Sequence, residues 1–159
     1  MTTTIGVAPL LVFGWGNPSR GDDALGPMLI EKLSDLYRHK ASTIEFLTDF
    51  QLQIEHALDL ADRTQVLFVD ASQNCTAPFE VTTLQPTRDA SFTTHAMSPE
   101  SVMQVFRDLQ GIEPPSCLML AIRGEQFELG SPLSKDAESN LAQALDWCQG
   151  WLRLQAPIV

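Results

Sequence analysis

Apolar residues in this chain alternate between short continuous runs and sets with helical spacing. The runs predict five strands, the fourth of them more exposed, in "APLLVFG", "TIEFLT", "QVLFVDAS", "FEVTTLQ" and "SCLMLAIRG". A first helix is predicted from Ala24 to about Tyr37 by the spacing of Leu25, Met28, Leu29, Leu33 and Leu36. The interleaving of the two patterns is typical of an α/β protein.

Three further helices are predicted. A short amphipathic helix within "QLQIEHALDLAD" would bury Ile54, Ala57, Leu58 and Ala61. Ser98 is a predicted N-cap, followed by Pro99 and a helix that ends at Gly111 and buries Val102, Val105, Phe106 and Leu109. The last helix follows Ser134 and would bury Leu141, Ala144, Leu145, Cys148 and Leu152.

This order of elements predicts a three-layer α/β/α sandwich with a mostly parallel sheet of about five strands. We expect residues 1–159 to form a single domain, because no linker, internal repeat or shift in composition divides the chain.

The charge balance narrows the set of partners. Ten basic and twenty acidic residues give a formal net charge of −10, which argues against nucleic acid and anionic membrane surfaces. The N-terminal segment lacks a signal-peptide pattern and no apolar run could span a membrane, so a cytoplasmic protein is expected. Cys75, Cys117 and Cys148 form no C-x-x-C pair, and core packing is expected for them rather than reactivity.

The segment "LVFGWGNPSRGDDALG" places a glycine-rich turn directly after the first strand. A dinucleotide-binding fingerprint would need a third glycine where Ser19 stands. A P-loop would need Lys and Ser or Thr where Asp22 and Asp23 stand. A Rossmann-like nucleotide-binding protein is therefore a poor alternative, and no nucleotide cofactor is expected. The two acidic residues could instead simply cap the following helix.

Two other polar residues follow strands in the sequence. Asp70 ends the buried run "VLFVD", and His95 lies in the polar loop before Ser98. Loops at the carboxyl ends of parallel strands converge, so Asp23, Asp70 and His95 are expected to face one another. Two carboxylates and an imidazole suit a divalent transition metal. Capping by Asp70 and an incidental His95 are the alternatives from the residues alone.

Three motifs together resemble those of the [NiFe]-hydrogenase maturation endopeptidases: "VFGWGNPSRGDDALGP", "LFVDAS" and "TTHAMSPESVMQVF". Their order and spacing are similar over essentially the whole chain. The resemblance implies an endopeptidase that removes the C-terminal extension of a hydrogenase large-subunit precursor after nickel has been inserted. The nickel would arrive with that precursor.

The resemblance also implies roles for individual residues. Asp23, Asp70 and His95 would be the catalytic and metal-binding residues, and Gly14, Gly16, Asn17 and Asp22 would shape the loop. The hydrolytic water would be activated either by the metal or by a free carboxylate. The absence of G-x-S-x-G and H-E-x-x-H motifs gives no support to a serine hydrolase or a zincin.

One segment departs from the commoner family pattern. After the second strand the chain reads "LTDFQLQIEHALDL", which looks more like the proteases that serve NAD(P)-coupled soluble hydrogenases. Asp49 and Gln51 are predicted to touch the substrate tail, whereas His56 is expected on a solvated helix face. A nickel-binding module or metallochaperone that uses the same three ligands without hydrolysis is the remaining alternative.

Overall fold

The computed structural model describes residues 6–88 and 97–155, and its elements alternate as the sequence predicts. The strands are β1 Leu10–Trp15, β2 Ile44–Asp49, β3 Gln65–Ser72, β4 Phe79–Thr83 and β5 Ser116–Arg123. The α-helices are α1 Leu25–Leu36, α2 Pro99–Gln110 and α3 Lys135–Leu154. Short 3-10 helices span Gly21–Ala24, Arg38–Lys40 and Ile54–Leu60.

The five strands form one sheet in the order β2-β1-β3-β5-β4. The strands β2, β1, β3 and β5 are parallel to one another, and only the edge strand β4 pairs in the antiparallel direction, with β5. Chain order reverses around β1, since β2 lies on one side of it and β3 on the other. In such a sheet the crevice at the carboxyl ends of the strands is the usual ligand site.

Alternating residues of the strands face two separate cores, which confirms the predicted three-layer sandwich. Leu10 and Val12 of β1 pack with α1 and α3, while Leu11 and Phe13 pack with α2 and the 3-10 helix Ile54–Leu60. This period-2 division explains why a strand buried on both faces appears as a continuous apolar run.

The helix boundaries also follow the predicted signals. The Ser98 and Ser134 hydroxyls accept hydrogen bonds from the backbone N–H groups of Ser101 and Ala137 at the starts of α2 and α3. Gly111 ends α2 with φ 69°. None of the helices in the described part of the chain has the length and apolar character needed to cross a membrane.

Two predicted helical faces are wrong in detail. The segment Ile54–Leu60 is a 3-10 helix, whose period of three places Ala57 and Leu60 together on the buried side and Leu58 off it. Ile54, in the first turn, is also exposed. Leu109, predicted on the buried face of α2, is also exposed, because it lies in the last turn before Gly111.

The cysteines are free thiols and all three are buried, as predicted for core packing. Burial raises the pKa of the Cys117 and Cys148 thiols to about 12, so neither is a reactive thiolate at neutral pH.

Close contact between α1 and the sheet depends on Gly26. A Cβ at this position would lie 2.5 Å from the backbone oxygen of Trp15 and 3.1 Å from that of Val69. We predict that Gly26→Ala destabilises the protein by about 1 to 3 kcal/mol, because rigid backbone atoms would have to move.

Gly150→Ala in α3 is the matched control. Its added Cβ would meet only the end of the Arg153 side chain, at 4.0 Å. That variant should gain roughly 0.5 to 1 kcal/mol of stability from the helix propensity of Ala. Urea denaturation of both variants tests the pair, and equal effects of the same sign would contradict the packing argument.

Candidate functional site

Three side chains follow one another across the carboxyl edge of the sheet. Trp15, the last residue of β1, is in register with Asp49, the last residue of β2. Gly14 is in register with Val69, so Asp70 of β3 lies level with Trp15 on the other side. Trp15 belongs to the core on the α2 side, and strand alternation places Asp49 and Asp70 on that same face.

The opening loop between β1 and α1 folds back onto its own acidic residues. Gly16 has φ 149°, and a Cβ there would lie 1.9 Å from the backbone oxygen of Asp23. The Asn17 N–H donates to Oδ2 of Asp23 at 2.7 Å, and Oδ1 of Asn17 accepts from the Ser19 N–H at 2.9 Å. These contacts fix the Asp23 carboxylate at the mouth of the loop.

This arrangement differs from a phosphate-binding loop. Such a loop directs its backbone N–H groups at an anion, whereas the Asn17 N–H already donates to a carboxylate of the protein itself. A phosphate at this position would meet the negative charge of Asp23. The geometry therefore argues against the Rossmann-like alternative.

Asp22 points away from Asp23 and is fully buried, with 0% of its surface exposed. Its Oδ2 accepts from the N–H groups of Glu125 and Gln126 at 2.7 and 2.9 Å and from the Ser134 hydroxyl at 2.7 Å. Its Oδ1 accepts from the Ser134 N–H at 2.8 Å. Asp22 thus joins the opening loop to the segment after β5 and to the N-cap of α3.

The hydrogen bonds to Asp22 also determine its charge state. Burial alone would raise the pKa of this carboxyl, but the bonds from Ser134, Glu125 and Gln126 together outweigh that effect and lower the pKa. Asp22 is therefore a structural anion. Its hydrogen bonds run to other segments and not to the first turn of α1.

Asp70 has the opposite environment. Burial and the nearby negative charge of Asp23 raise the pKa of Asp70 from 3.8 to about 7, although the Ala71 N–H at 2.8 Å and the Trp15 side chain both donate to the carboxylate. Near neutral pH this group therefore exchanges a proton readily. A cation placed between Asp23 and Asp70 would relieve their repulsion.

The third predicted ligand, His95, lies outside the described residues. Across residues 6–88 and 97–155, no group of three or more His, Cys, Asp or Glu side chains is placed to hold a metal ion. The described site thus offers two oxygen donors. Close to His95 in the sequence, the Met97 N–H donates to the Leu52 oxygen at 3.1 Å.

A groove of about 350 Å³ lies beside the opening loop. It is lined by Gly16, Pro18, Pro27, Thr48, Asp49 and Phe50. Phe50 is 67% exposed, and Gln51 is exposed as well. A larger hollow of about 550 Å³ lies at the opposite end of β1 and β2, near Ala8 and Ile44, and therefore far from the acidic pair.

His56 is not on a solvated face, and that expectation is wrong. Its side chain is 11% exposed and its ring packs edge-on against Phe13, with the ring centroids 4.6 Å apart. Its Nδ1 accepts from the Gln53 N–H at 2.8 Å, and its Nε2 bonds to Oδ2 of Asp49 at 3.1 Å. The spacing Gln53-x-x-His56 is a capping pattern, which is the sequence signal that could have revealed this role.

The fold is shared with solved structures of hydrogenase maturation proteases. HycI from Thermococcus kodakarensis, a [NiFe] hydrogenase maturation protease, has a TM-score of 0.71 at 19% identity over 93% of this chain and 94% of that one. The E. coli hydrogenase maturating endopeptidase HybD has a TM-score of 0.68 at 22% identity over 92% and 93%. A hydrogenase 2 maturation peptidase from a Thaumarchaeota archaeon has a TM-score of 0.62 at 21% identity over 91% of this chain and 98% of that one.

These similarities confirm the expected resemblance at the level of the fold. The sequence matches no protein-family model, and no curated protein is significantly similar to it. The functional proposal therefore depends on the residues of the site described above. The subtype that serves NAD(P)-coupled hydrogenases stays a prediction.

The raised pKa of Asp70 predicts a pH-dependent stability difference. Because the folded protein binds this proton more tightly than the unfolded chain, the Asp70 contribution to stability falls as pH rises from about 4 to about 7. Asp70→Asn removes that loss, so the variant should gain stability over wild type with rising pH, by up to about 4 kcal/mol at pH 8.

Urea denaturation at pH 4.5 and pH 8 measures this difference, with the exposed Asp146→Asn as control. The control should show no comparable change between the two pH values. A pH-independent difference between Asp70→Asn and wild type would contradict the assigned environment of Asp70.

Asp22→Asn should behave in the opposite way and destabilise the protein at neutral pH. An amide NH₂ group in place of one carboxylate oxygen would face an N–H or O–H donor of Glu125, Gln126 or Ser134. We expect a loss of about 3 kcal/mol in the free energy of unfolding. Asp146→Asn again serves as control, and a loss below that of the control would contradict the structural role.

Proposed function

We propose that this protein is an endopeptidase of [NiFe]-hydrogenase maturation, which removes the C-terminal extension of the large-subunit precursor after nickel insertion. The observation that carries the proposal is the electrostatic interaction of Asp23 with Asp70, which lies at the carboxyl edge of the sheet. The opening loop that carries Asp23 also lines an open groove through Gly16 and Pro18. The fold shared with maturation proteases supports it.

The groove provides a place for an extended peptide. It is lined by Gly16 and Pro18 of the opening loop and by the end of β2 with the following Phe50, which is exposed. The acidic character of the chain, with a net charge of −10, favours a precursor tail that carries positive charge.

Asp70 is suited to move a proton during peptide hydrolysis. In the free protein its pKa of about 7 leaves it partly unprotonated at neutral pH, and a cation bound beside it would favour the ionised form, whose oxygen can accept a proton from an attacking water. The Trp15 side chain and the Ala71 N–H orient its carboxylate. Asp23, held by the Asn17 N–H, maintains the negative potential at the mouth of the loop.

The nickel ion belongs to the substrate in this proposal. Asp23 and Asp70 fit it as oxygen donors, because their mutual repulsion is relieved by a cation, and His95 is the proposed nitrogen donor. The bound ion supplies a fixed positive charge through which a correctly loaded precursor is recognised. An unloaded precursor lacks that charge and would not be held against the acidic pair.

The test is the intact mass of a purified nickel-loaded precursor after incubation with this protein, beside a nickel-free precursor. We expect loss of a short C-terminal peptide from the loaded precursor alone. Asp23→Asn, Asp70→Asn and His95→Asn should each lower kcat/KM by roughly two orders of magnitude. Asp146→Asn, which changes an exposed carboxylate outside the site, should leave it unchanged.

An unchanged mass with a verified cognate precursor would overturn the endopeptidase. Nickel bound tightly to the isolated protein without any cleavage would point instead to a nickel-binding module. Cleavage of both precursors at equal rates would overturn the nickel-dependent recognition and leave the protease.

A further inference from the structure

The imidazole of His56 is committed at both nitrogens. Because Nδ1 accepts from the Gln53 N–H at 2.8 Å, that nitrogen carries no proton in the neutral ring. The proton is therefore on Nε2, which donates to Oδ2 of Asp49 at 3.1 Å. Packing against Phe13 fixes the plane of the ring.

These two bonds bracket the segment 49–53. Asp49 at its start also accepts the Phe50 N–H through Oδ1 at 2.7 Å, and Gln53 at its end is the N-cap of the 3-10 helix. Phe50 and Gln51 between them are exposed. The half-buried His56 ring thus bonds to both ends of a segment in which Phe50 and Gln51 face solvent and Leu52 is buried.

The same segment is joined to the opening loop. The backbone oxygen of Asp49 accepts the Gly16 N–H at 3.1 Å, and Gly16 lies against the backbone of Asp23. Asp49, Phe50 and Gly16 all line the groove. His56 is therefore two hydrogen bonds away from the loop that carries Asp23.

We infer that His56 is a positioning residue of the substrate groove. In its neutral Nε2–H form it holds the segment 49–53 in the conformation that makes the groove wall, and so determines where the precursor peptide lies relative to Asp23 and Asp70. This inference rests on the proposed function. It assigns His56 no contact with the reacting bond.

Three substitutions separate the two bonds. Asn places an oxygen near the position of Nδ1, so it keeps the hydrogen bond from the Gln53 N–H but loses the one to Asp49. Gln places an N–H near the position of Nε2, so it keeps the hydrogen bond to Asp49 but loses the one from the Gln53 N–H. Phe retains the packing on Phe13 and loses both bonds. His39→Phe, at an exposed position in the 3-10 helix Arg38–Lys40, is the matched control.

With nickel-loaded precursor over a range of concentrations, His56→Phe should raise KM about tenfold while kcat stays within twofold of wild type. His56→Asn and His56→Gln should show smaller increases, and His39→Phe none. An unchanged KM in His56→Phe, or a fall in kcat with KM unchanged, would overturn the positioning role.

A second readout needs no cleavage. In wild type, ¹⁵N spectra of the His56 ring should show the neutral Nε2–H tautomer, and the Phe50 and Gln53 amide protons should be protected from exchange. Protection at Gln53 should be lost in His56→Gln and kept in His56→Asn, and that at Phe50 should show the reverse pattern. The His56 tautomer and the protection of the Phe50 and Gln53 amide protons should be unchanged in His39→Phe.

The two readouts distinguish the ways of failing. Suppose that wild type does not cleave the precursor, but the His56 tautomer and the opposite exchange effects at Phe50 and Gln53 are as expected. The proposed function then fails, and the role of His56 in fixing the segment 49–53 stands. If wild type cleaves but the Nδ1–H tautomer is found, or exchange does not respond to the substitutions, the positioning role is overturned and the protease stands.

Discussion

The whole candidate site depends on one buried carboxylate, that of Asp22. It collects its four hydrogen bonds from residues more than 100 positions later in the chain, at Glu125, Gln126 and Ser134. Asp22 and Asp23 are neighbours in a 3-10 turn, so fixing one side chain in the interior also fixes the direction of the other. The anchoring of Asp22 is what leaves Asp23 free to face the carboxyl edge of the sheet.

Asp22 and Asp70, two acidic residues removed from water to different degrees, are accommodated by different physical means. Asp22 stays ionised, because backbone N–H groups replace the water it lost. Asp70 has fewer donors and a negative neighbour, so its environment favours the protonated form. The same side-chain chemistry thus yields a permanent structural anion at one position and an exchangeable proton at the other, which is how acid–base roles are commonly divided among carboxylates.

The strands and helices could be predicted from the sequence because their signals are local. Uninterrupted apolar runs marked β1, β3 and β5, and Ser98, Gly111 and Ser134 marked helix ends. The errors arose where local patterns are ambiguous, as at Ile54 and Leu58, whose spacing suits an α-helix but whose segment is a 3-10 helix. The resemblance likewise gave the expected fold, which the solved structures bear out.

The details of the site were less predictable, because they depend on contacts distant in the chain. Nothing near "GDD" shows which of the two acidic residues turns inward, since the partners of Asp22 are supplied by the segment after β5. His56 was misplaced because its burial depends on Phe13, in a different element. The raised pKa of Asp70 likewise reflects burial in the folded protein and the charge of Asp23, 47 positions earlier in the chain.

The hydrogen bonding of His56 also determines whether this side chain can act as a metal ligand. An imidazole can coordinate a metal only through a nitrogen lone pair, and here one lone pair is used by the Gln53 N–H while the other nitrogen carries a proton directed at Asp49. A histidine next to the groove is thereby withdrawn as a ligand. Under the proposed function, a nickel ion carried by the precursor would therefore find no free imidazole nitrogen at His56 to compete with the acidic pair.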